Sequence, residues 1–181
     1  MCIRDRQRIN AKFSKEKDIL KIPQPIIMKS GSKIMSLIDG SKKMSKSDPN
    51  EGSRINLLDT PEIISKKIKR AKSDSFIGLE FNNPERAESR NLLMIYSILS
   101  GKEISLCESE FSETGWGTFK KLITEQLIES LKPIQEKYKV LINDPYQLND
   151  ILLEGKDKAE ELANKTLKRV KSKLGFFDIK S

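Results

Sequence analysis

Residues 33–71 read KIMSLIDGSKKMSKSDPNEGSRINLLDTPEIISKKIKRA, and the character of the chain changes within them. Ile34-Met35-Ser36-Leu37-Ile38 has the apolar, partly β-branched composition of a strand. From Asp39 to Gly52 the residues are turn formers and solvated groups: Gly, Ser, Lys, Asp-Pro and Asn. Asp59-Thr60-Pro61-Glu62 then signals a helix start. Thr60 is a capping residue, Pro61 fits the first helical position, and Glu62 complements the positive end of the helix dipole. Ile64, Ile68 and Ala71 recur at helical spacing, with Lys66, Lys67, Lys69 and Arg70 on the other face. A boundary is expected near residue 55, where strand and loop give way to helices.

Downstream the pattern stays helical. Residues 75 to 85 read as a loop. A helix over about 87–99 is expected to bury Leu92, Ile95, Tyr96 and Leu99, with Gly101 as its stop. The longest helical pattern runs from about Phe119 to Leu141, with Phe119, Leu122, Ile123, Leu127, Leu131, Ile134, Tyr138 and Leu141 on one face. Pro133 inside it predicts a kink. Asp144-Pro145 opens a short helix. The last helix, about Asp157 to Leu174, carries an apolar stripe of Ala159, Leu162, Ala163, Thr166, Leu167, Val170 and Leu174, and Gly175 ends it. Upstream, residues 7 to 20 read as the tail of a helix running into a charged loop. Pro23 and Pro25 exclude a regular helix from the apolar stretch 22–38. The opening MCIRDR, Met1 to Arg6, fits no helix or strand pattern and resembles translated adapter sequence. It is set aside, and Met1 is not expected to be a native start.

Composition narrows the classes. The chain is 36% hydrophobic and 33% charged, still too apolar for a wholly disordered protein. Its 34 Lys and Arg against 26 Asp and Glu give a net charge of +8, spread along the chain. A polyanionic partner such as RNA fits that balance, and so does an ordinary soluble protein from a Lys-rich proteome. With no histidine, a His-based acid, base or metal ligand is excluded. Cys2 and Cys107 have no metal or disulfide spacing. No apolar run approaches the ~20 residues that span a bilayer, and no signal peptide is evident, so no membrane partner and a cytoplasmic location are expected.

The chemistry lies in Lys43-Met44-Ser45-Lys46-Ser47, followed by Asp48-Pro49-Asn50. Two lysines on one loop bring two ammonium groups onto a single polyphosphate, and Ser hydroxyls and loop amides add donors. The bland alternative is a solvated Lys- and Ser-rich loop. Trp116, between Gly115 and Gly117, offers a base-stacking platform or, more simply, a helix-entry aromatic packed on the bundle. The Lys66, Lys67, Lys69 and Arg70 face fits RNA phosphates or plain solvent.

The context of the loop carries a resemblance. KIMSLIDGSKKMSKSDPN resembles the second signature loop of the tryptophanyl-tRNA synthetases, class I aminoacyl-tRNA synthetases, together with the strand before it. INLLDTPEIISKKIKRAKSDS is similar to the helix after that loop, and NLLMIYSILSG to the next. GWGTFKKLITEQLIESLKPIQEKY resembles the family's long helix with its internal Pro, and ILLEGKDKAEELANKTLKRVKSKLGF its last helix. These strings cover nearly all of residues 8 to 177. The resemblance implies a mainly α chain: a helical bundle preceded by the last strand and signature loop of an incomplete Rossmann-type nucleotide-binding domain. Residues 7–55 would be the remnant of the catalytic domain and 56–181 the helical tRNA (anticodon)-binding region. By the same resemblance Lys43 and Lys46 are catalytic and stabilise the ATP phosphates. Met44, Ser45 and Ser47 complete the ATP-binding loop, and Ile34 lines the adenine site. Ordinary core packing is the plainer reading of Ile34 and Met35. ATP with Mg2+, tryptophan and tRNA-Trp are the implied ligands, and a homodimer the implied full-length state. No metal-binding residue is expected in this chain.

Two departures qualify the match. Lys33 stands where the family usually has Arg, and the two are not equivalent at a bidentate site. No His and no Gly-rich strand-to-helix turn precede residue 31, so the family's first ATP signature is absent and the tryptophan pocket with it. The expectation is therefore a C-terminal portion of a tryptophan–tRNA ligase, inactive by itself. The alternatives are a non-catalytic RNA-binding helical module and a tyrosyl relative. Met44 and the long match after it argue against the second.

Overall fold

The computed structural model of the chain describes residues 3–13, 19–27, 31 and 33–176. Six α-helices are found among them: α1 Ile3–Phe13, α2 Pro61–Arg70, α3 Ala87–Ser100, α4 Ile104–Glu110, α5 Trp116–Ile142 and α6 Pro145–Leu174, with a 3₁₀ turn over Glu51–Ser53. The chain divides into two compact units, residues 27–140 and residues 1–26 with 141–181.

Within residues 27–140 the elements form for the reasons their sequence supplies. Thr60 caps α2, its side chain accepting from the Ile63 amide, and Pro61 takes the first turn. Gly101 closes α3 in the left-handed region at φ 69°. The core gathers Leu37 from the signature segment, Ile64 and Ile68 from α2 and Ala71 just after it, Leu92, Leu93 and Tyr96 from α3, and Phe119, Ile123, Leu127 and Leu131 from α5. Tyr96, Phe111 and Phe119 stack edge-on, with ring centroids 5.0 Å (Tyr96–Phe111) and 4.8 Å (Phe111–Phe119) apart. Each fully buried aromatic or aliphatic residue here contributes roughly 1.5–3 kcal/mol. The α4 helix has no counterpart in the expected elements. Its seven residues supply one buried side chain, Cys107, too little periodicity to detect.

The 75–85 loop is built around a buried charge. Arg86, 2% exposed, grips Asp74 with Nε and Nη2 at 2.8 and 3.0 Å. Nη2 also donates to the Gly78 carbonyl at 2.7 Å, and Trp116 Nε1 donates to Asp74 at 3.0 Å. Burial pushes the Asp74 carboxyl up, but Arg86 and Trp116 more than offset it and hold it below the usual range. The packed reading of Trp116 is the observed one: half-buried, edge-on to Phe119.

Several expectations are corrected. Ile34–Ile38 is not a strand. Met35 pairs with Lys43 in a single antiparallel bridge, because the returning segment runs alongside for only a few residues. Met28–Ser30 and Ser32 of that stretch lie outside the described residues. In α5 the expected face splits: Phe119, Ile123, Leu127 and Leu131 are buried, while Leu122, Ile134 and Tyr138 are 38%, 49% and 44% exposed. Pro133 lies inside the helix, as expected. Lys67 leaves the basic face altogether: it is buried and paired with Asp59 at 2.6 Å.

In the other unit, α1 starts at Ile3, so Ile3–Arg6 are helical although they fit no helix pattern. Asn10 Nδ2 donates to the Leu20 carbonyl and Asn10 Oδ1 accepts from the Leu20 amide, at 2.8 and 2.9 Å. Arg169 donates to the Ile19 carbonyl. The two expected C-terminal helices are one, α6, which at 30 residues is longer than α5. Gly155 is the only breaker between them, and a lone Gly costs about 1 kcal/mol. The Lys158–Glu154 pair, one turn apart, spans the glycine and helps carry the helix across. Asp144 caps its start and Gly175, at φ 78°, its end. None of its residues is fully buried; of the expected apolar stripe, Thr166, Val170 and Leu174 are half-buried and Ala159, Leu162, Ala163 and Leu167 are exposed. Cys2 and residues 14–18, the charged loop expected after α1, lie outside the described residues.

Candidate functional site

Ile34 to Met44 doubles back on itself. The Ser36 amide donates to the Lys42 carbonyl at 2.8 Å, and the Met44 amide to the Ile34 carbonyl at 3.0 Å. Asp39 builds the reversal. Its carboxylate accepts from the Ser41 hydroxyl at 2.6 Å and the Ser41 amide at 3.0 Å, with Lys42 at 3.3 Å. The Ser41 contacts, then Lys42, hold the Asp39 carboxyl down to about 2. Gly40 at the tip lies so close to α3 that an added Cβ would stand 2.9 Å from the Ala87 carbonyl carbon.

The Lys43–Ser47 segment emerges from this turn. Met44 is half-buried against the core and anchors it. Ser45 and Ser47 share a hydroxyl hydrogen bond at 2.9 Å, and the Asp48 amide closes a turn onto the Ser45 carbonyl at 3.4 Å. Arg54 Nη1 donates to the Asp48 carbonyl at 2.8 Å, tying the end of the loop to the following segment. Lys43 and Lys46 are exposed, and neither ammonium has an ion-pair partner among the described residues. Two positive charges thus stand uncompensated on one short segment.

An open cavity of about 870 Å³ is lined by Ile34, Lys43, Met44, Ser45 and Lys46 on one side and by Arg54, Ile55, Asn56, Leu57, Leu58, Ile134 and Tyr138 on the other. Five of the six expected ATP-loop residues therefore meet in one groove; Ser47 is not among its lining residues and shares its hydroxyl hydrogen bond with Ser45, which is. The far wall was not legible in the sequence. It is set by a second network, in which Asp59 accepts from Lys67 Nζ at 2.6 Å and from the Asn56 amide at 2.8 Å. Burial pushes the Asp59 carboxyl up, and Lys67 and Asn56 outweigh it, leaving the group below its ordinary value. Gln135 on α5 donates to the Leu57 and Asp59 carbonyls at 2.9 and 3.0 Å. Lys33 is outside the groove and lines a separate cavity with Met35 and Arg90. Among the described residues no group of three or more carboxylates or thiols is arranged to hold a metal ion. No helix among them is long and apolar enough to cross a membrane.

The family model for class I tRNA synthetases (W and Y) matches residues 6–132. The chain belongs to that family. It is 80% identical over 173 residues to the tryptophan–tRNA ligase of Prochlorococcus marinus subsp. pastoris, covering 96% of this chain and 51% of the relative. A second Prochlorococcus marinus tryptophan–tRNA ligase is 61% identical over 173 residues, 95% of this chain and 51% of the relative. The tryptophanyl-tRNA synthetase structure from Mycoplasma pneumoniae superimposes with a TM-score of 0.84 at 30% identity, covering 94% of this chain and 51% of that one. The chain thus spans about half the length of the relatives it matches. Within the family, the groove is the segment where the expected ATP residues converge.

Proposed function

We propose that this chain is the C-terminal portion of a tryptophan–tRNA ligase, which activates tryptophan with ATP and transfers it to tRNA-Trp. The observation that carries the reading is the convergence of Ile34, Lys43, Met44, Ser45 and Lys46 on one groove, with both ammonium groups unpaired. Lys43 and Lys46 bind the ATP phosphates and tighten as negative charge builds on the departing pyrophosphate. A contact stronger in the transition state than in bound ATP is what raises the rate. Ser45 and Ser47 hold the turn that aims Lys46, and Ile34 lies at the adenine end. Mg2+ enters as the counter-ion of the nucleotide phosphates.

Residues 7–55 are the end of the catalytic domain and 56–181 the helical tRNA-binding region, from a homodimeric, cytoplasmic enzyme. The exposed Lys66, Lys69 and Arg70 remain available to tRNA phosphates. The reading of a stand-alone RNA-binding module accounts for exposed lysines but not for the convergence of Lys43 and Lys46 with Ile34 and Met44 on one groove. Tryptophan-dependent exchange of pyrophosphate into ATP tests the proposal. Exchange is expected from the full-length protein and not from these 181 residues, which lack the Gly-rich first signature. Exchange by the 181 residues alone, or none by the full-length protein, would refute it.

A further inference from the structure

In an extended segment, successive residues present their backbone groups to opposite edges. Ile34 and Ser36 spend theirs on Met44 and Lys42, within the turn. Met35 faces the other way, and its edge meets a side chain. Its amide donates to Asn91 Oδ1 at 2.8 Å, and its carbonyl accepts from Asn91 Nδ2 at 2.9 Å. Asn91 is 5% exposed and sits on α3 beside the buried Leu92 and Leu93. Its carboxamide, with one donor and one acceptor side by side, imitates a neighbouring strand. Met35 is also the bridge partner of Lys43. One buried amide side chain therefore fixes the residue opposite the first lysine of the signature loop.

Resting on the ATP reading above, we infer that Asn91 is a positioning residue for adenylate formation: it registers the Met35–Lys43 pair on α3 and so sets where Lys43 stands against the ATP phosphates. Loss of the carboxamide leaves two part-buried backbone groups of Met35 without partners, and the segment shifts to find them. A misplacement of about 1 Å at a site of this kind costs on the order of 100-fold in rate.

The test uses Asn91→Leu, which removes both hydrogen bonds while keeping the branched shape, and Asn91→Asp, which keeps the acceptor for the Met35 amide but sets a carboxylate against its carbonyl. Both are made in the full-length ligase. Single-turnover tryptophanyl-adenylate formation, with active sites titrated, reads the rate constant per competent site. The expected result is a rate constant on the order of 10- to 100-fold lower for Asn91→Leu, with a smaller loss for Asn91→Asp and unchanged tryptophan affinity. A purely structural role would leave fewer active sites, each at the normal rate constant, and that outcome overturns the inference. Should Asn91→Leu fail to fold, Asn91→Asp and amide exchange in the unmutated protein decide the matter. Slow exchange at Met35 is expected, and exchange as fast as in an open loop overturns the clamp. Absence of adenylate formation by the unmutated protein overturns the functional reading and the inference with it. Normal rate constants in folded variants overturn the inference alone.

Discussion

Replacing Lys67 by Met removes the ammonium from the Asp59 pair and leaves the hydrocarbon stem in place. In the native chain Nζ lies 2.6 Å from Asp59 Oδ2, and both side chains are 9% exposed. Deleting one partner of a buried pair costs about 3–5 kcal/mol, because the other charge stays behind. Here the Asn56 amide, at 2.8 Å, and the Asn56 side chain, at 3.3 Å, still donate to the carboxylate, so a loss below that range, about 2–3 kcal/mol, is expected. Adding Asp59→Asn to Lys67→Met should recover part of the loss, since the carboxamide needs no counter-charge. The pH dependence has a definite sign. The folded Asp59 carboxyl lies below its unfolded value of about 3.9, so its contribution is complete above roughly pH 4 and is lost as pH falls through the lower folded value. Without Lys67, burial dominates and raises the carboxyl. The gap between the two proteins should therefore be widest near neutrality and close below about pH 4. Urea unfolding followed by circular dichroism measures both. A gap under about 0.5 kcal/mol at pH 7, or one that does not change with pH, would refute the reasoning; surface pairs are worth that little.

Gly78→Ala should be among the most damaging small substitutions, because φ is +75° and the added Cβ would fall 1.8 Å from the Ser112 carbonyl oxygen; failure to yield soluble folded protein, or a large drop in melting temperature, is the expected readout. Lys120→Met should destabilise by about 1 kcal/mol in the same urea assay, since Nζ donates to the Ala71 carbonyl at 2.6 Å and lies 3.3 Å from that of Lys69 at the C-terminal end of α2.

The helical half was legible where a local signal suffices. The Thr60-Pro61 start, the Gly101 and Gly175 stops and the buried row Phe119, Ile123, Leu127 and Leu131 depend on neighbours within a turn or two, and the structure has them as expected. What escaped depends on distant partners. Lys67 looks like one of four surface cations until Asp59, eight residues earlier, turns it inward. Ile34–Ile38 has strand composition but lacks a strand to pair with, and Asn91, 56 residues on from Met35, takes the ladder's place. That asparagine stood in the sequence after Glu88, Ser89 and Arg90, as one more polar residue ahead of the apolar run Leu92–Tyr96, with no local signal to mark it. The residues of the signature loop were found by family likeness, whereas their far wall of Leu57, Leu58, Ile134 and Tyr138 comes from α5 reaching back through Gln135. No local pattern announces such a contact.

The central claim is that Lys43 and Lys46 act on the phosphates during activation of tryptophan. Single-turnover formation of tryptophanyl-adenylate by full-length Lys46→Ala and Lys43→Ala, with ATP varied, tests it most directly. The rate of the chemical step should fall ~10²–10³-fold, as when one preorganised transition-state donor is lost, while tryptophan affinity stays near normal. Near-normal rates in both variants would contradict the account and leave the loop a solvated linker.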